Sequence, residues 1–453
     1  MKQLSPEEKY RQMTQEPVQR LMCKLAVPTI ISMLITTIYN MADTFFIGKL
    51  GNTSASGAVG VVFALMSIIQ AVGFFFGQGA GNSASRELGE KNYARANGLA
   101  SVGFFFALFA GGVITVIGLC FLKPLAHLLG STQTILPYAV DYMRFILIGA
   151  SYMAASLVLN NLLRFQGNAF YGMIGLVSGG ILNIALDPLL IFVFDMGIAG
   201  AGLATILSQL VSFFILFYQC HRVGIVQIRW KYCKPSREIF KSIVVGGTPS
   251  LCRQGIAGLA ITCLNVAAKP FGDAAIAAMS IVNRITNFTN SVTIGFGQGF
   301  QPVCGYNYGA KLYDRVRRAF WFGVKLSLVI LLVVAAVEVV FAEPLVEIFR
   351  KGDPDVVKYG AFALRCQCAT VWMSSIMIFS NMILQTTGKV FRASFLSLAR
   401  QGLFLIPLVL LLPQSIGILG IQIAQPISDV LCTICTIPMV LSLLREMQRE
   451  ETT

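Results

Sequence analysis

GQGAGNSASRELGEKNYAR at residues 77–95 returns 220 positions later as GQGFQPVCGYNYGAKLYDR at residues 297–315. Gly77-Gln78-Gly79 meets Gly297-Gln298-Gly299, and Gly89-x-Lys91-x-Tyr93-x-Arg95 meets Gly309-x-Lys311-x-Tyr313-x-Arg315. The register, 220 or 221 residues, carries outward from Pro28 to Pro249, Gly51 to Gly272, Tyr138 to Tyr359, Arg144 to Arg365 and Asn160 to Asn381, and from Gly197 and Gly200 to Gly417 and Gly420. Chance does not hold one offset through so many punctuating residues, so the chain is a duplicated unit.

Each copy belongs in lipid. Of 453 residues, 55% are apolar and 12% charged, against about 25% charged in a soluble domain. A helix crosses the hydrocarbon with about 20 mainly apolar residues. Twelve segments meet that measure: 25–46, 55–81, 96–122, 136–159, 170–194, 199–220, 240–268, 274–302, 318–342, 358–385, 391–412 and 416–441. The expected architecture is all-α and polytopic, with two six-helix lobes. Because each lobe has an even number of spans, the second enters the membrane in the same orientation as the first, as parallel repeats do. The division expected is a cytoplasmic arm 1–24, an N-terminal lobe 25–220, a linker 221–239, a C-terminal lobe 240–441 and a cytoplasmic tail 442–453.

Orientation follows from the basic residues. With the N-terminus inside, the cytoplasmic segments and the span ends beside them collect 23 of the 35 Lys and Arg, and the opposite side only 5. Both termini are therefore expected in the cytoplasm, at the cell membrane. The net charge of +14 then reflects basic clusters such as Arg315, Arg317 and Arg318 near anionic headgroups, and no nucleic-acid partner is needed. The start MKQLSPEEKYRQMTQEPVQR lacks the basic, apolar and small-residue pattern of a signal peptide, so the first apolar run is expected to stay as a membrane helix. Most of the eleven cysteines sit inside apolar runs without framework spacing. Cys432 and Cys435, although spaced as C-x-x-C, lack a second ligand pair, so a reducing compartment and no bound metal are expected.

Ionisable residues deep in a span are costly and mark function by default. Asp43 lies towards the outer end of the first span and Asp187 in the fifth, followed by Pro188. Tyr39 and Asp43 are four apart, as are Asn183 and Asp187, so each pair shares a helix face. Pro188 cannot donate to the carbonyl of Ile184, which leaves that acceptor free and is expected to bend the helix beside Asp187. Two carboxyls in an apolar bundle are suited to taking up and releasing a proton; carboxylate, amide and hydroxyl oxygens also suit Na+, at Asp43, Asp187 and Asn183. Asp141 is read as a local ion pair with Arg144. In the second half, Glu338 and Asp429 are secondary candidates. Arg253, Arg284 and Arg400 lie deep enough to require partners, whether carbonyls, a carboxylate or an anionic part of a substrate. In the repeat register Asp43 faces Leu264, and at an offset one residue shorter, 219, which sets Pro188 on Pro407, Asp187 faces Ile406 and Asn183 faces Gly402. The scaffold is duplicated and the acid cluster is not.

The duplicated twelve-span layout, the Tyr39–Asp43 segment, the paired loop motifs and above all SGGILNIALDPLLIFVFDMGIAGAGLAT at residues 178–205 resemble the multidrug and toxic compound extrusion (MATE) family, in its bacterial DinF-like and MepA-like branch. The likeness runs over nearly the whole chain. It implies antiport of lipophilic or cationic drug-like molecules against protons or sodium, with no cofactor beyond the ion and an acid cluster in the first lobe. The positions matching that cluster are Tyr39, Asp43, Asn160, Asn183, Asp187 and Thr205, with Asn160 preferred over Asn161 because it keeps the register with Asn381. Other branches carry an acid pair in spans seven and ten; this chain has Arg253 there and no acid. The rival within transport is a flippase for lipid-linked precursors, in which the span arginines would bind pyrophosphate. An integral membrane enzyme is disfavoured, since only His127 and His221 exist and both sit at span ends. A monomer is expected, with lipid and a small drug-like molecule as its partners.

Overall fold

The computed structural model describes residues 4–50, 53–349 and 353–452. Among these the chain is helical without a strand. The first half comprises α1 (Pro6–Gln15), α2 (Val18–Gly48), α3 (Thr53–Gly89), α4 (Tyr93–Cys120), α5 (Leu122–Leu128), α6 (Leu136–Phe165), α7 (Ala169–Pro188) and α8 (Gly197–Val223). The second comprises α9 (Arg237–Ala268), α10 (Asp273–Gly309), α11 (Tyr313–Val340), α12 (Ala342–Phe349), α13 (Pro354–Val371), α14 (Ser374–Thr386), α15 (Val390–Leu398), α16 (Ile406–Ile416) and α17 (Ile418–Thr452).

The twelve expected spans all fall on these helices, and eleven are long and apolar enough to cross a bilayer when α13 and α14, bent by 54° at a short break, are taken as one. The exception is the eighth, on α10. It carries Asn283, Arg284, Asn287, Asn290, Gln298 and Gln301, and several of its polar side chains are buried against protein, with Gln298 at 3% and Gln301 at 1% exposure. A helix can be this polar at membrane depth when protein, not lipid, covers those groups.

The duplication is written into the backbone. Lys91 and Lys311 both take left-handed conformations, with φ of 60° and 59°, as do Gly167 and Gly388 at 77° and 80° and Gly197 and Gly417 at 53° and 64°. Such angles cost a residue with a Cβ, so the two loop lysines hold a specific turn rather than a generic coil. The turn at Lys91 is tied to the N-terminal arm: its ammonium lies 2.9 Å from Glu7 and 4.4 Å from the centre of the Tyr10 ring. Gly51, part of the repeat pattern, lies outside the described residues.

Two compact units can be separated, Met1–Glu16, Val27–Leu251 and Gly305–Ala310 in one, Pro17–Ala26, Cys252–Cys304 and Lys311–Thr453 in the other. The first has a core around Tyr142, Ile146, Leu147 and Ala150 of α6, packed on Val62, Leu65 and Ile69 of α3. The second gathers Leu264, Val282, Leu331, Leu364 and Val409. Within the first unit α3 meets the opening turns of α9 at Gly79, where a Cβ would sit 2.2 Å from the carbonyl oxygen of Ile243. Gly299, its repeat partner, is crowded in the same way by Ala26 within the second unit. Close helix approach over small residues is a general packing device in membranes. Gly79→Ala should therefore force α3 and α9 apart and cost about 2 kcal/mol, read as a lower melting temperature in detergent; unchanged melting would show that the crossing yields freely.

Candidate cation site in the first half

Four helices converge on the two acids. α2 carries Tyr39 and Asp43 one turn apart, α7 carries Asn183 and Asp187, α6 brings Tyr142, and α8 brings Thr205 and Gln209. α7 comes close to α2 at Gly180, where a Cβ would lie 2.9 Å from Ile35 and 3.3 Å from the ring of Tyr39. Directly after Asp187, Pro188 ends the α-helix, and the chain continues as a π-helical turn over Leu189–Val193. The expected change in the helix beside the acid thus takes the form of a π turn directly after the proline.

The Tyr142 hydroxyl donates to Oδ2 of Asp43 at 3.0 Å, and the Thr205 side chain reaches the same hydroxyl. Gln209 reaches the hydroxyl of Tyr39. The Asn183 amide donates to Oδ1 of Asp187, a long bond at 3.4 Å. Asp187 is fully buried, Asn183 and Thr205 nearly so, and Asp43 partly. The two carboxyls lie near enough to repel each other when both are charged. Oδ1 of Asp43, Oδ1 of Asn183 and Oδ2 of Asp187 are buried with no hydrogen-bond partner among the described residues. An unpaired buried polar atom costs about 1–3 kcal/mol, more for a charged one. Three unpaired acceptors contributed by one small group of residues form a set that a proton or a hard cation would satisfy, since carboxylate and carbonyl oxygens are what such cations take.

Five of the six residues expected here are thus brought together: Tyr39, Asp43, Asn183, Asp187 and Thr205. Asn160 is not joined to them by a hydrogen bond. Its amide donates to the carbonyl of Gly172 at 3.1 Å, and Asn381 donates to that of Ala393 at 2.8 Å, the same bond one repeat later. Asn160 therefore clamps the start of the next helix through its Nδ2, in the register of the repeat. Asn161 is buried and holds Arg164 at 2.6 Å. The expected Asp141–Arg144 ion pair does not form: both side chains are exposed and no salt bridge links them, and an exposed pair gains too little over separate solvation to hold two side chains in one geometry. Tyr142 was not singled out from sequence. In the repeat register it faces Ala363, so the loss of symmetry that marks the acids would have marked it too.

The second half organises its charges differently. Arg400, in a π-helical turn over Ala399–Leu405, places Nε 2.8 Å from Oδ1 of Asp429 and one terminal nitrogen 3.2 Å from the Ser374 hydroxyl. Gln425 also donates to Asp429 at 2.8 Å, and Ser428 donates to the Arg400 carbonyl. Glu338 is buried at 5% exposure and accepts from Thr289 and Cys368. Arg253 lines a cavity of about 260 Å³ with Arg400, while Arg284 is exposed and lines neither of the cavities beside it.

The family model for MatE matches residues 28–189 and again residues 258–411, once in each half of the repeat. The chain belongs to the MatE family. Among MatE relatives, it is 26% identical over 435 residues to a protein named multidrug export protein MepA from Staphylococcus saprophyticus, covering 94% of each chain. It is 27% identical over 426 residues to the MepA of Staphylococcus haemolyticus, covering 94% of this chain and 93% of that one. Among solved structures, a MATE crystallised in complex with MaL6 superposes with a TM-score of 0.92 at 25% identity, over 97% of this chain and 99% of that one. A transporter of the MOP superfamily from Pyrococcus furiosus, described by a reversed polarity of its binding pocket, gives 0.91 at 25% identity over 96% and 98%. The twelve-helix MatE fold is thereby the fold of this chain.

Proposed function

We propose that this MatE-family chain exports lipophilic or cationic drug-like molecules across the cell membrane, driven by inward movement of H+ or Na+ that binds at Asp43 and Asp187. Tyr39, Asn183 and Thr205 of the expected set, together with Tyr142, hold the two acids. The observation that carries the reading is the trio of unpaired buried oxygens on Asp43, Asn183 and Asp187. The names of the staphylococcal relatives supply the substrate class, since each is called a multidrug export protein. Cation entry removes the repulsion between the acids and the cost of the unpaired oxygens, so the loaded and empty forms favour different packings of α2 on α7. A ligand shifts a conformational equilibrium only by its differential affinity, and a charge partner in a buried site is a large one. The two expected lobes would then rock around the substrate as one monomer, with both termini in the cytoplasm.

The flippase reading loses support from Asp429, which neutralises Arg400 and leaves Arg253 as the one unpaired arginine among the described residues lining the cavity for a pyrophosphate. Proteoliposomes loaded with a fluorescent lipophilic cation and given a proton gradient or a sodium gradient separately provide the test. Export should accelerate with one of them and not with a potassium gradient of the same size. No acceleration with either would refute the proposal.

A further inference from the structure

The second half contains a cavity that the cation site does not use. It is lined by Arg253 of α9, Asn290 of α10, Asn381 and Met382 of α14, and Arg400, with about 260 Å³ of room. A water takes about 30 Å³, so the space suits a one-ring organic molecule rather than a single ion. Met377, Ile378, Met382 and Leu396 give it apolar walls, and methionine adapts to varied shapes.

The charges in this cavity do not cancel. Asp429 is engaged by Arg400 and Gln425, which leaves Arg253 without a hydrogen bond or salt bridge among the described residues. Arg253 stands 16 residues into the 32-residue α9, about 24 Å from its start and so near the middle of a span. A guanidinium at that depth is retained where it meets water, a partner or a ligand. Oδ1 of Asn290 and Oδ1 of Asn381 are buried and unpaired. The Asn381 amide nitrogen is already committed to Ala393 and to Ser397 at 2.9 Å, so its carbonyl is the free end. One unmatched cation and two unmatched acceptors call for an occupant with one negative group and an N–H.

We propose that this cavity is an acid-binding subsite, in which Arg253 takes the carboxylate of a small organic acid or zwitterion and the carbonyls of Asn290 and Asn381 accept an N–H from the same molecule. A planar guanidinium pairs with a carboxylate through two parallel hydrogen bonds. A pyrophosphate carries more charge than one free arginine balances. The substrate range would then extend from cations to zwitterions held by their acid end. What becomes of the bound acid rests on the export reading, whereas binding without any gradient does not, so a failure of one is separable from a failure of the other.

The test is equilibrium binding of radiolabelled 4-(aminomethyl)benzoate to the full chain in detergent, with 4-(aminomethyl)benzamide, inorganic pyrophosphate and phosphatidylglycerol as competitors. The acid should bind, and the amide, pyrophosphate and lipid should compete poorly. Arg253→Gln should weaken the acid at least about tenfold and Arg253→Lys less, since a point charge keeps attraction and loses the paired geometry. If Arg253→Gln does not fold, Asn290→Ala provides a second arm, in which an acceptor for the probe's N–H is lost and the acid should bind more weakly. Equal binding of acid and amide, an acid affinity insensitive to both substitutions, or stronger competition by pyrophosphate or lipid than by unlabelled acid would overturn the proposal.

Discussion

Asp187→Asn in reconstituted protein is expected to slow gradient-driven export strongly at a given ion concentration while leaving the fold intact. The substitution keeps size and keeps an oxygen able to accept from Asn183, which lies 3.4 Å from Oδ1. What is lost is the charge on a fully buried group whose second oxygen has no partner. Hydrogen bonds to charged groups are worth about 1.5–3 kcal/mol, so affinity for the coupling ion should fall about ten- to a hundredfold. Asp43→Asn should behave alike. Tyr142→Phe, which removes the 3.0 Å bond to Asp43 and the hydroxyl that Thr205 reaches, should cost about 1 kcal/mol of that affinity, less than tenfold. The ion concentration giving half-maximal export in proteoliposomes measures all three. Full-rate export by both Asn variants, driven by an imposed gradient, would place the coupling elsewhere.

Asp429→Asn is expected to be the most destabilising substitution considered, and for a reason unrelated to the cation site. Asp429 is 3% exposed and receives both Arg400 and Gln425. Taking away its charge leaves the Arg400 guanidinium inside the bundle with only neutral side-chain partners, Ser374 and the amide oxygen at position 429. Breaking a buried ion pair from one side costs about 3–5 kcal/mol, whereas replacing both partners with apolar residues is often neutral. Arg400→Met combined with Asp429→Leu should therefore recover most of the stability that Asp429→Asn loses. Thermal unfolding of the two proteins in the same detergent compares them directly. Should the double variant melt as low as the single one, the pair owes its place to geometry and not to charge balance.

The acids could be read from the chain because a carboxyl in an apolar run is costly wherever it points, so Asp43 and Asp187 identify themselves before any packing is known. The Pro188 break could be read for the same kind of local reason: a missing N–H changes the helix whatever surrounds it. Gln209 could not, since a glutamine in a span is ordinary until its partner is located, and Tyr142 carried only its broken symmetry with Ala363 as a signal. Asn160 holds register across the repeat, and its amide bond to Gly172, which recurs at Asn381, belongs to the scaffold. Arg400 and Asp429 stood 29 residues apart as separate candidates, and only the approach of α17 to the π turn makes them one neutral pair.

Sequence by itself determined the spans, the duplication and the confinement of the acid pair to one half, because hydrophobic length, register and the cost of a charge in lipid are properties of the chain. Tertiary structure decided which polar atoms are satisfied. It paired Arg400 and left Arg253 alone, spent Asn160 on a backbone carbonyl, and left three oxygens of Asp43, Asn183 and Asp187 without donors. Satisfaction depends on what stands within about 3 Å, and that distance is set by helix packing between residues far apart in the chain.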